Sequence, residues 1–134
     1  MLRWAVALLS GCCIPTGERR IEDPAAAWQA AFQSPVPDGV TLQQGQYWQS
    51  GHWSGEHAWF FAITAPTAFR DDFVTTRGLT EEPGPDREKL IAMEVLFPLP
   101  DWFAPPGLDY RVWKREGMLI FAAGEQLYLH SGAL

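Results

Sequence analysis

Cysteine is nearly absent from this chain: its 134 residues hold two, Cys12 and Cys13, side by side near one end. Residues 14–134 therefore have no internal disulfide framework, and the domain they form must be held by packing. Long apolar runs are missing too. None approaches the roughly 20 residues that a membrane-spanning helix requires, so the body of the protein is expected to be soluble, with any membrane contact at an end. Positive charge is sparse and scattered: ten Lys and Arg face sixteen Asp and Glu, for a net charge of -6. Nucleic acid is thereby excluded as an expected partner, because phosphate binding needs concentrated positive charge. Catalytic motifs are the fourth absence. The chain has no G-x-S-x-G elbow, no phosphate-binding glycine loop, and neither H-E-x-x-H nor H-x-x-E-H. The acid pairs Asp71-Asp72 and Glu81-Glu82 are adjacent, which turns their side chains apart and reads as solvation.

What is present begins at the first residues. Arg3 precedes an apolar stretch from Trp4 to Leu9, followed by Ser10, Gly11 and Cys12. A charged start, an apolar segment and small residues before a cleavage point are the features of a secretory signal. Leu9-Ser10-Gly11-Cys12 resembles the lipobox of bacterial lipoproteins, in four residues and their apolar lead-in. The resemblance implies that residues 1–11 are a signal peptide, that the Cys12 thiol takes up a diacylglyceryl group, and that Cys12 becomes the first mature residue. Two acyl chains suffice for stable anchoring. Cys13 is a second acylation site or a free thiol. The residue after the lipidated cysteine is not aspartate, which by the same resemblance leans to the outer membrane, facing the periplasm, if the cell is Gram-negative.

Residues 12–22 read as the lipidated cysteine and a polar tether, and residues 23–134 as one globular domain. Asp23-Pro24 is a helix start, with Trp28 and Phe32 four apart on one face and Pro35 and Pro37 beyond the end. Val40 to Trp53 and Glu56 to Thr64 read as a hairpin turning at Ser54-Gly55. That pairing sets Trp53 opposite Glu56 and His52 opposite His57, and puts Trp48 on the face of Trp59, Phe61 and Ile63. Pro66 restarts a helix that carries Phe69 and Phe73 and stops at Gly78. Thr80 to Arg87 reads as an exposed loop. Glu88 to Phe97 is helix or strand, with Met93 to Phe97 leaning to strand. Pro98, Pro100, Pro105 and Pro106 frame Asp101-Trp102-Phe103. Tyr110–Lys114, Met118–Ala122 and Gln126–His130 read as a three-stranded meander. The order implies an α+β fold: an antiparallel sheet, made of the N-terminal hairpin and the C-terminal meander, with two short helices on one face.

His52, Glu56 and His57 are the compact group of candidate metal ligands, with His130 as a possible addition. The simpler reading makes them polar residues at a hairpin tip. Seven Trp, eight Phe and three Tyr are the other unusual feature. Most fall at core positions, but Trp53 at the hairpin tip and Trp102 in the proline-framed loop are less easily buried, and exposed Trp marks binding surfaces. Trp53, Trp102, His52, His57 and Glu56 are therefore the candidate partner-binding residues. No cofactor or catalytic set is implied. The expected role is non-enzymatic: a lipid-anchored envelope protein that binds another envelope protein as an assembly factor, inhibitor or immunity protein. The alternative is a small envelope hydrolase or metal-dependent enzyme using His52, Glu56 and His57. Guanidinium unfolding of the full chain should have the same midpoint with and without dithiothreitol; a midpoint lowered by reductant would show that the thiols cross-link the fold.

Overall fold

The computed structural model describes residues 17–52 and 54–133. Cys12, Cys13 and Trp53 lie outside the described residues. The elements run β1 (Arg19–Ile21), α1 (Pro24–Phe32), β2 (Thr41–Gln49), β3 (His57–Thr64), α2 (Thr67–Arg77), β4 (Thr80–Glu82), α3 (Arg87–Glu94), β5 (Arg111–Arg115), β6 (Met118–Ala123) and β7 (Gln126–Ala133). The strands form one seven-stranded sheet in the order β1-β2-β3-β7-β6-β5-β4, and every pairing is antiparallel. The fold is α+β, with the expected hairpin and meander side by side. No helix among the described residues is long and apolar enough to cross a membrane.

Local chemistry sets the helix ends. The Asp23 carboxylate accepts from the Ala26 amide at 2.9 Å, and Pro24 occupies the first turn, where its missing N–H costs nothing. Gly78 ends α2 at a φ of +64°, a left-handed conformation that glycine adopts without steric penalty. Asp86 caps α3 by accepting from the Lys89 amide at 3.1 Å.

The sheet is covered on both faces. Trp59, Phe61 and Ile63 of β3 point to one side with Ile120, Leu127 and Leu129, where Trp28 of α1 and Phe73 of α2 close over them. Phe60 and Ala62 point to the other side with Leu119, Phe121 and Tyr128, beneath Leu90 of α3 and Phe103 of the proline-framed segment. The two expected helices thus share one face, and a third covers the opposite one. The Lys114 ammonium ties α3 to β5 through Glu94 at 3.2 Å.

Four local readings are corrected. The two-residue turn at Ser54-Gly55 does not form: Gln49 pairs with His57, and the Ser50 amide donates to the Glu56 carbonyl at 2.8 Å, so the strands separate earlier than expected. The register differs from the expected one by three residues. Because side chains alternate, an odd shift moves Trp48 to the face opposite Trp59, beside Ala58 and Phe60. Met93 to Phe97 holds no strand: Met93 and Glu94 complete the helix that Asp86 caps, and 95–97 leave it without regular structure. Thr80–Glu82 is an edge strand held by a two-pronged contact from Arg111 to Glu81, both bonds 3.0 Å, and the tether's Arg19–Ile21 is the opposite edge strand. Both are too short and charged to show in a hydrophobic pattern.

Gly45 is where α1 meets the sheet. A Cβ there would stand 2.7 Å from the Phe61 ring and 3.1 Å from the Pro24 Cα. Gly45→Ala should therefore lower unfolding stability by about 1–3 kcal/mol through overpacking, measured by denaturant titration. An unchanged midpoint would show that α1 has room to move away from β2.

Candidate functional site

Beyond the hairpin loop, β2 and β1 leave a concave surface at the sheet edge. In β1 and its flanks Glu18, Arg20 and Glu22 are two apart in a chain that runs extended, and Arg20 pairs with Trp48, which pairs with Ala58. The alternation puts Glu18, Arg20, Trp48, Gln46 and Phe60 on the face opposite α1 and α2. The chain leaving α3 supplies the facing wall: the Phe97 ring lies 5.2 Å from that of Trp48, followed by Pro98. Between them lies a cavity of about 200 Å³, with Trp48, Ala58, Phe60 and Phe97 as its apolar lining and Glu18, Arg20, Glu22 and Gln46 as its polar part.

Gly132 makes this wall possible. A Cβ on it would stand 2.7 Å from the Phe97 ring, so a side chain at 132 would displace Phe97 and reshape the cavity. The rim is ionised. The Glu18 carboxylate accepts from Arg20 Nε at 2.7 Å and from the Trp48 indole N–H, and these two bonds, Arg20 first, hold it below the usual carboxylate range. Glu22 has no ion-pair or hydrogen-bond partner among the described residues. With Arg20 matched by Glu18, the rim carries one surplus negative charge.

A carboxylate kept ionised has no proton to give near neutral pH. Glu18 and Glu22 are four residues apart in extended chain, roughly 13 Å between Cα atoms, which does not aim them at one bond.

Compared with known proteins, the chain matches no family model, no curated protein and no solved structure. The site's meaning therefore rests on its own geometry.

The residues singled out in the sequence lie elsewhere. His52 is exposed past the end of β2, its amide donating to Ser50 Oγ at 3.0 Å. His57 is half-buried, its Nδ1 donating to the Gly55 carbonyl at 3.1 Å and its ring lying 6.4 Å from Tyr47. Because His57 pairs with Gln49, the cross-strand pairing of the two imidazoles is not formed. Glu56 takes part through its backbone carbonyl. Among the described residues no group of three or more His, Cys, Asp or Glu side chains is placed to hold a metal ion. Trp102 is half-buried against Phe103, ring centroids 6.2 Å apart. Trp53 lies outside the described residues.

His130 is fully buried in β7, stacked on Phe60 at 4.3 Å. Its Nδ1 donates to the Trp59 carbonyl at 3.0 Å, while Nε2 has no partner among the described residues. Burial in this apolar setting outweighs that bond and pushes the imidazole down to about 4. It is a neutral core residue rather than a ligand. The cavity residues were passed over in the sequence because Glu18-Arg20-Glu22 resembles a solvated tether; their spacing by two was the signal available.

The buried histidine makes stability fall with acid. The unfolded imidazole takes its proton near 6.5 and the folded one near 4, so the unfolded state is favoured progressively as pH falls between those values. The total loss should be roughly 3 kcal/mol, levelling below about pH 4 as far as this group is concerned. His130→Leu should remove this slope between about pH 6.5 and 5.5, above the range where most carboxylates titrate, whatever its constant effect on stability. Equal slopes in the two proteins, read from urea midpoints, would show that His130 is hydrated when folded.

Proposed function

We propose that this chain is a lipid-anchored bacterial envelope protein with a binding or accessory role, and that the cavity beside β1 is its binding element. The observation that carries the reading is the cavity itself: an aromatic recess with charged side chains on its rim and, among the described residues, no acid and base aimed at one point within it. Such sites hold a ligand through an apolar body and a few placed polar groups. The anchor is supported by the Leu9-Ser10-Gly11-Cys12 sequence and by its distance from the domain. Arg19 follows Cys12 by seven positions, a reach of at most about 25 Å. A lipid on Cys12 would thus keep the cavity close to the bilayer surface.

Radiolabelled palmitate should enter the wild-type protein and not Cys12→Ser, and the variant should leave the membrane fraction on washing. Equal labelling of both proteins would remove the anchor. For the binding role, native mass spectrometry of protein taken from its own envelope should show a low-mass adduct that Trp48→Ala loses; an adduct retained by that variant would move the binding element elsewhere.

A further inference from the structure

The cavity's chemistry narrows what it holds. Elsewhere in the chain three aromatic rings, those of Phe32, Phe73 and Trp113, lie beneath the protein's own arginines. The Arg77 guanidinium lies 3.7 Å from the Phe73 ring centroid, and Arg70 and Arg111 approach Trp113 to 4.9 and 4.8 Å. Inside the cavity the Trp48 and Phe97 rings come together, 5.2 Å apart, yet no cation of the described residues lies over them. The nearest candidate, Arg20, donates to Glu18 instead. Aromatic faces carry negative potential and attract cations, most strongly where water is excluded. The same recess has Glu22 as an unmatched carboxylate in its lining.

We propose that the cavity binds a small organic ammonium ion, with its apolar body and cation against Trp48 and Phe97 and its charge met by Glu22. An anion would face two carboxylates with Arg20 already engaged. A neutral ligand would gain the apolar contacts and leave the surplus charge unanswered. Size sets a further limit: a cavity of roughly 150 Å³ holds one benzene, so about 200 Å³ suits a single ring, or its equivalent in alkyl groups, with a short ammonium arm. The proposal deepens the binding reading above and depends on it.

Isothermal titration of the full chain carrying Cys12→Ser would use three probes of matched shape: 2-phenylethylamine, protonated at pH 7; 2-phenylethanol, its neutral counterpart; and 3-phenylpropanoate. The ammonium probe should bind one to one and about tenfold more tightly than the alcohol. Glu22→Gln, an exposed substitution outside the core, should weaken the ammonium probe about fivefold and leave the alcohol unchanged. Equal affinities for amine and alcohol, both abolished by Trp48→Ala, would overturn the ammonium assignment while keeping the cavity as a binding site. Preference for the propanoate would overturn it in favour of Arg20 as the recognising group. No binding of any probe by a chain with its normal unfolding midpoint would overturn both the assignment and the cavity's role.

Discussion

Strand β3 sends a buried side chain to one side or the other at each position from Ala58 to Ile63, so two cores depend on one register. Trp59, Phe61 and Ile63 meet the two helices of the first face, while Phe60 and Ala62 meet the proline-framed segment and α3. A slip of one residue along β2 or β7 would set each neighbour's apolar residues against the wrong layer. The neighbours are matched to prevent this. Gly45 stands opposite Phe61 because the ring and Pro24 fill the space a side chain would take, and His130 stands opposite Phe60 with its ring stacked on it. The extra residue at Gln43, where pairing shifts between Leu42 and Gln44, confines the irregularity to the outer part of β2.

The segments with strong periodic or capping signals were legible in the sequence. Asp23-Pro24, Pro66 with Gly78, and the three apolar runs of the meander each act through nearest-neighbour chemistry, which a linear reading sees. The hairpin register was not legible. It depends on a backbone bond between Ser50 and Glu56 and on a serine hydroxyl, and nothing in Ser54-Gly55 distinguishes that arrangement from a two-residue turn. The edge strands were hidden for a different reason. Arg19–Ile21 and Thr80–Glu82 bury almost nothing, so composition assigns them to linkers, and they become strands only because a neighbour offers them a ladder.

The same difference explains why the candidate site was missed. The sequence directs attention to histidines and to tryptophans in loops, whereas the cavity is assembled from a charged edge strand, the reverse face of β2 and two residues that follow α3. Its aromatic lining comes from Trp48, Phe60 and Phe97, up to 49 positions apart in the chain and brought together by the hairpin register and by the absence of a side chain at Gly132. Moving Trp48 to the other face, as the expected register would, removes the cavity's principal wall.

The sheet ends on both sides in a three-residue strand, and that brevity has a consequence for crowding. A fully extended border strand is a template on which another molecule can add its own backbone, and proteins concentrated on a surface meet such templates often. Here Arg19 and Arg20 mark one border, and Glu81 clamped by Arg111 marks the other. Each offers an incoming chain few rungs and a charged margin, so the border strands themselves are poor templates for growth of the sheet from one molecule to the next.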